Sequence, residues 1–188
     1  MKRNLDKPFM RDIKELINSV DLPGLRKLLA ENPLLANEGI PFDDKNTTKA
    51  HPLHRICDGV FNGAYSDEEA VGIATVFIEY GANINGYELI EGKDTPLVAA
   101  ASLHAEKTGI FYIENGADIH HPGCSGGTAL HWAAWVGRDK LVKKLIEEKQ
   151  ELINVVLNLR VRRFYGQFMD INLAAKKTGI TILNAFTC

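Results

Sequence analysis

Apolar residues recur at spacings of three and four along most of the chain, which is the period of an amphipathic α-helix. One pair of helices is predicted between residues 10 and 36, and a strongly amphipathic helix is predicted shortly before residue 150. The apolar stripes of these helices consist of Ile13, Leu16, Ile17, Val20, Leu25, Leu28 and Leu29, and then of Leu141, Val142, Leu145 and Ile146.

Similar short sequence motifs mark the starts of three repeated units. They are His51-Pro-Leu-His-Arg-Ile-Cys57, Thr95-Pro-Leu-Val-Ala-Ala-Ala101 and Thr128-Ala-Leu-His-Trp-Ala-Ala134, and the last two begin 33 residues apart. The first two units then end in Tyr80-Gly-Ala-Asn-Ile-Asn85 and Asn115-Gly-Ala-Asp-Ile-His120. Because two independent motifs, one at the start and one at the end of a unit, keep the same order, the sequence predicts an array of internal repeats.

These words resemble the ankyrin repeat, whose units begin with Thr-Pro-Leu-His, carry a pair of small alanines and end in Gly-Ala-Asp-hydrophobic-Asn. The resemblance covers about residues 10–156 and implies an all-α solenoid of helix–turn–helix units joined by short hairpin loops. Pro52 and Pro96 suit the first turn of a helix, and Thr95 and Thr128 suit the N-cap position before it. One such unit cannot bury its own apolar stripe, so neighbouring units must stack.

The predicted organisation has three segments. Residues 1–42 form a divergent helix pair that caps the array, residues 43–156 form three repeats, and residues 157–188 form an atypical tail. The first repeat is longer than the others, with 44 residues between its starting proline and the next one. We assign the excess to an inserted loop at residues 59–68, and such a loop is a candidate contact surface.

The repeat pattern stops after Asn154, although the motif that begins a repeat is expected again near residue 161. Read from the third base of each codon, residues 161–170 can encode Thr-Pro-Leu-Leu-Trp-Ala-Ile-His-Gly-Tyr, and the genetic code forces several of these residues. We hypothesise a frameshift near residues 154–158, with an out-of-frame tail from about residue 157. Resequencing the DNA there distinguishes it from the alternative, a genuine basic tail of charge +4 that binds an anion or nucleic acid.

Composition places the chain among ordinary folded proteins, with 45% hydrophobic and 24% charged residues and a net charge of −2 that argues against nucleic acid as the main partner. No apolar run approaches the roughly 18 residues that span a bilayer, and residues 1–14 carry charges where a signal peptide is apolar. We therefore expect a cytoplasmic protein. Cys57, Cys124 and Cys188 are odd in number and far apart, which argues against a disulfide framework.

Motifs for catalysis and metal binding are weak. His120, His121, Cys124 and His131 are residue types that bind zinc, but the resemblance implies structural positions for His120 and His131. The glycine-rich residues 123–127 lack the Gly-Lys-Ser/Thr of a phosphate-binding loop, and no serine lies in a recognisable nucleophile elbow. We expect neither enzyme activity nor a metal or cofactor.

The resemblance implies a scaffold that binds another protein through a concave groove and the tips of its loops. We expect a monomer, although the sequence does not determine the oligomeric state. If Trp132 lies on the stacking side of its helix, Trp135 and Val136 face the groove, where an exposed aromatic residue is a common anchor. The alternative is a stoichiometric inhibitor or immunity-like regulator of an enzyme. The residues assigned to the surface are Asp58, Ser102, Leu103, Trp135 and Val136 in the groove, and Thr47, Glu91, Asp94, Cys124 and Ser125 at the tips.

Overall fold

The computed structural model describes residues 12–41, 49–86, 93–124 and 126–148 of the 188-residue chain. These residues are mostly helical, as an all-α class requires. A 3₁₀ helix (Pro33–Ala36) and an antiparallel pair of short strands, β1 (Ile40–Pro41) and β2 (Lys49–Ala50), separate the second and third helices. The α-helices are α1 (Ile13–Asn18), α2 (Leu22–Glu31), α3 (Pro52–Phe61), α4 (Asp67–Glu79), α5 (Pro96–Ser102), α6 (Glu106–Glu114), α7 (Ala129–Trp135) and α8 (Asp139–Glu148).

The predicted helix starts are confirmed. Pro52 and Pro96 are the first residues of α3 and α5, where the missing N–H interrupts no helical hydrogen bond. Thr95 precedes α5, and its hydroxyl accepts a hydrogen bond from the Val98 N–H at 3.3 Å. Thr128 is the N-cap residue of α7. Because these residues fix where each helix begins, they also fix which side chains lie at its far end.

Consecutive helices pack as pairs, and we call α1–α2, α3–α4, α5–α6 and α7–α8 units one to four. Helices α3, α5 and α7 form one row, in which each packs against the next. Helices α2, α4, α6 and α8 form a second row in the same way. Small residues allow the first row to pack closely, since Ala99, Ala100, Ala133 and Ala134 are all buried. Each unit therefore buries its apolar side against its neighbours.

An acidic residue at the start of one second-row helix caps the next helix in that row. Asp67, the first residue of α4, accepts hydrogen bonds from the N–H groups of Lys107 and Thr108 in α6 at 2.6 and 3.0 Å. Glu106, the first residue of α6, accepts one from the Lys140 N–H in α8 at 2.8 Å. These N–H groups have no acceptor within their own helix. The same contact thus holds units two, three and four in register.

The assignment of residues 59–68 to an inserted loop is wrong for half of them. Residues 59–61 are the last residues of α3, and residues 67–68 begin α4, so only residues 62–66 connect the two helices. Further extra length lies in α4, which has 13 residues where α6 has 9. The connection folds back because the buried Tyr65 ring packs over Gly59, where any side chain would overlap it.

Two glycines should respond to alanine substitution with opposite signs. Gly72 lies in α4 with a helical backbone, and an added methyl group would meet only Leu22 at a normal contact distance of 3.5 Å. Gly72→Ala should therefore raise the free energy of unfolding by about 0.5–1 kcal/mol. Gly137 connects α7 to α8 with φ +73° and has open space around it. Gly137→Ala should therefore lower the free energy of unfolding by about 1 kcal/mol through backbone strain.

Urea unfolding of both variants, followed by circular dichroism, tests this pair. Because neither substitution introduces a steric overlap with other residues, the difference between the variants reports the backbone conformation alone. Equal effects of the same sign would contradict a helical backbone at Gly72 or a left-handed one at Gly137.

Candidate functional site

The C-terminal ends of α3, α5 and α7 carry the residues predicted for the groove. Asp58, Ser102 and Trp135 occupy equivalent positions, each seven residues after the N-cap residue of its helix. Leu103 and Val136 are the C-cap residues of α5 and α7. Since the three helices stack side by side, these five residues lie near the C-terminal ends of the helices, along one edge of the row. We call them the groove set.

Trp135 and Val136 form the apolar part of the groove set. Both are half-buried and lie outside the hydrophobic core cluster, whereas Trp132 packs against that cluster. Leu103 also packs against the core, and the Ser102 hydroxyl donates a hydrogen bond to the Ala99 carbonyl oxygen within α5 at 3.2 Å. Trp135 is therefore the residue of this set with the largest apolar surface outside the core.

Asp58 supplies the charge of the groove set. Its carboxylate pairs with Arg55 one turn earlier, and Arg55 Nε also donates to the Ile40 carbonyl oxygen at 3.2 Å. His54 Nδ1 lies 3.9 Å from the same carboxylate. Burial lowers the pKa of His54 and outweighs the raising effect of Asp58, so this imidazole is neutral at pH 7. A partner that uses Asp58 must therefore compete with Arg55.

Asp94 joins two neighbouring loop tips. Its Oδ1 accepts a hydrogen bond from the Cys124 N–H at 2.9 Å, and its Oδ2 lies 3.5 Å from Cys124 Sγ. Gly123 makes this approach possible, because a side chain there would overlap the Asp94 carboxylate. Asp94 and Cys124 are both exposed and adjacent, and Asp94 also stabilises the loop. The remaining predicted tip residues, Thr47, Glu91 and Ser125, lie outside the described residues, as does the basic tail at 157–188.

Phe61 is an exposed aromatic residue that the sequence analysis did not single out. Its side chain is 57% exposed, and its ring contacts the His104 ring edge to face with centroids 5.8 Å apart. The assignment of residues 59–68 to a loop hid it, although its position five residues after the buried Ile56 continues α3. The helical period, carried through Gly59, is the signal that would have found it.

His131, one of the candidate metal ligands, has a structural role at the start of α7. His131 Nδ1 lies 2.9 Å from the Thr128 hydroxyl and accepts a hydrogen bond from the Thr128 N–H at 3.1 Å, which caps α7. Burial raises the pKa of the Cys57 thiol far above its usual value, so this thiol stays protonated. In the part of the chain that the structure describes, no three His, Cys, Asp or Glu side chains converge as a metal site.

The described helices also bear on membrane insertion. Not one helix within residues 12–41, 49–86, 93–124 or 126–148 is both long enough and apolar enough to cross a membrane.

Stacked helix pairs with capped first helices and a row of side chains at the helix ends define a repeat protein. The family model of the ankyrin repeat matches residues 125–156, which include α7 and α8. Residues 125–156 therefore form a segment that matches the ankyrin repeat, and that model detects one repeat in the chain. A comparison with curated proteins found no match. The ankyrin repeat is a generic protein–protein interaction module, and proteins that contain it are generally non-enzymatic scaffolds.

Proposed function

We propose that this chain is a non-catalytic protein-recognition module whose units form a short solenoid, and that the groove set contacts its partner. The observation that carries the proposal is the placement of Trp135, a half-buried aromatic side chain outside the core cluster at the end of the row of first helices. Tryptophan side chains in such positions dominate the binding energy of many interfaces. Val136 beside it extends the apolar contact.

Hydrogen bonds between units support recognition by a preformed surface. Asn37 Oδ1 accepts the Asn83 N–H, and Asn85 Oδ1 accepts the Asp118 N–H, both at 2.7 Å. Together with the carboxylate caps in the second row, these bonds fix the spacing of α3, α5 and α7. A surface that is already ordered loses little conformational entropy on binding, so we expect little backbone rearrangement.

Charge supports a basic or mixed partner surface opposite the groove set. The carboxylates of Asp58 and Asp94 lie on the first-row side of units two and three, and His54 between them is neutral. Complementary charge speeds association and excludes wrong partners more than it adds affinity. The partner is therefore expected to present a lysine or arginine next to an apolar side chain that covers Trp135.

Trp135→Ala should weaken partner binding at least about tenfold, because an aromatic anchor of this kind contributes roughly 2 kcal/mol or more. The wild-type chain immobilised on a support isolates the partner, and surface plasmon resonance with the purified partner then compares the variants. Leu34→Ala is the matched control, since Leu34 is a large apolar side chain, 81% exposed, on the 3₁₀ helix, which contributes no residue to the groove set.

We expect Leu34→Ala to bind like the wild type and both variants to unfold at nearly the wild-type temperature. If Trp135→Ala binds normally while folded, the groove set is not the contact surface and the proposal fails.

A further inference from the structure

Three side chains, one from each of units two, three and four, contact one another in series. Phe61 is the last residue of α3, His104 lies between α5 and α6, and Arg138 lies between α7 and α8. The rings of Phe61 and His104 meet edge to face at 82°, and His104 Nδ1 lies 3.4 Å from Arg138 Nη2. We call these three residues the linker strip.

Arg138 differs from the other arginines that the structure describes. Arg26 pairs with Glu79, and Arg55 pairs with Asp58. Arg138 has no acidic side chain within ion-pair distance among the described residues, and its Nε is buried without a hydrogen-bond acceptor in that same part of the chain. A buried N–H without an acceptor destabilises the free protein, and because Nε is shielded from solvent, a ligand would have to bind the guanidinium through its Nη groups.

The neighbours of Arg138 leave its charge uncompensated. Burial lowers the pKa of His104, and Arg138 lowers it further, so the ring is neutral at pH 7 and accepts a hydrogen bond from the guanidinium through Nδ1. Glu106 lies on the preceding unit, but its carboxylate Oε1 accepts hydrogen bonds from the Lys140 and Leu141 N–H groups. The guanidinium is protonated at every physiological pH and therefore offers a positive charge to a partner.

Phe61 provides an apolar contact at a fixed distance from this charge. The Phe61–His104 and His104–Arg138 contacts in series put the phenyl ring at most about 10 Å from the guanidinium, a distance that about three residues of extended chain can span. A planar guanidinium binds a carboxylate with two parallel hydrogen bonds. The linker strip thus presents a positive charge and an apolar ring that one short peptide segment can contact together.

We propose that the linker strip docks an acidic segment of a protein partner, with a carboxylate on Arg138 and an apolar side chain about three residues away on Phe61. This inference rests on the proposed function and adds contacts whose charge is opposite to that of the groove set. The side chains that would meet the segment are Phe61, His104 and Arg138.

Selection of random peptides displayed on phage, with the full chain as bait, tests the inference without a known partner. We expect enriched peptides to share an Asp or Glu about three residues from an apolar residue. Their affinity should fall at least about tenfold with Arg138→Gln and with Phe61→Ala. Arg26→Gln, which removes an arginine that already has a carboxylate partner, is the matched control and should bind like the wild type.

Arg138→Lys keeps the charge but removes the planar guanidinium that can bind a carboxylate with two hydrogen bonds, so it should also weaken binding, and it replaces Arg138→Gln if that variant does not fold. Peptides that lack the acidic residue, or that bind Arg138→Gln and Arg138→Lys as well as the wild type, overturn the inference. If such peptides instead lose affinity with Trp135→Ala, the proposed function stands while the linker strip is rejected. If no peptide is enriched, the proposal that the linker strip docks an acidic segment is overturned as well.

Discussion

Replacing Tyr112 with alanine should lower the free energy of unfolding by about 4 kcal/mol, as is typical of a deleted buried aromatic side chain. Tyr112 lies in α6 and is fully buried, and its hydroxyl donates a hydrogen bond to the Leu53 carbonyl oxygen in α3 at 2.7 Å. The side chain therefore connects unit three to unit two. Denaturant unfolding monitored by circular dichroism measures the loss.

Two further variants separate the parts of this effect. Tyr112→Phe keeps the ring and removes only the hydrogen bond between units, so we expect a loss of about 1–2 kcal/mol. Phe111→Ala removes the adjacent aromatic side chain, which is only half-buried, and should cost less than Tyr112→Ala. Equal losses for Phe111→Ala and Tyr112→Ala would contradict the central position of Tyr112 between the units.

Acidification from pH 6.5 to pH 4 should destabilise the protein by about 3 kcal/mol through His51 alone. Burial and, to a smaller extent, the nearby His54 lower the pKa of His51 from 6.5 to about 4. Its Nδ1 accepts the Leu53 N–H at 3.3 Å, and its Nε2 lies 3.0 Å from Asn37 Oδ1. Protonation of Nδ1 would remove the acceptor that caps α3.

The direction of this pH effect follows from the different proton affinities of His51 in the folded and unfolded chain. Below pH 6.5 the unfolded chain takes up a proton at His51 that the folded chain does not bind until pH reaches about 4. Stability is therefore complete above pH 6.5 and is lost as pH falls through this window. His51→Thr, which restores the residue type of Thr95 and Thr128, should flatten the dependence, and unfolding free energies at several pH values test it. An equally steep dependence in this variant would contradict the role of His51.

The sequence predicts the helix starts well because those signals are local. A proline at the first helical position and a threonine before it fix the backbone through bonds within four residues, as Thr95 and Val98 show. The placement of Trp132 against the core and Trp135 away from it follows from the same register. Periodicity within one helix is thus sufficient to place these side chains.

Features that depend on contacts between units were not predictable in this way. Asp67 accepts hydrogen bonds from residues 40 and 41 positions away, and the contact of Asp94 with Cys124 joins loops 30 positions apart. Neither leaves a pattern in the local sequence. The extra length of unit two was misassigned because Gly59 suggests a loop, whereas in the structure it accommodates the Tyr65 ring.

Amide hydrogen exchange on the full chain, with and without its captured partner, tests the central claim most directly. The proposal predicts slower exchange on binding at the C-terminal ends of α3, α5 and α7, where Asp58, Ser102 and Trp135 lie. Exchange on the outer side of α4 and α6 should be unchanged. Protection confined to α4 and α6, with none at the ends of the first-row helices, would contradict recognition through the groove set.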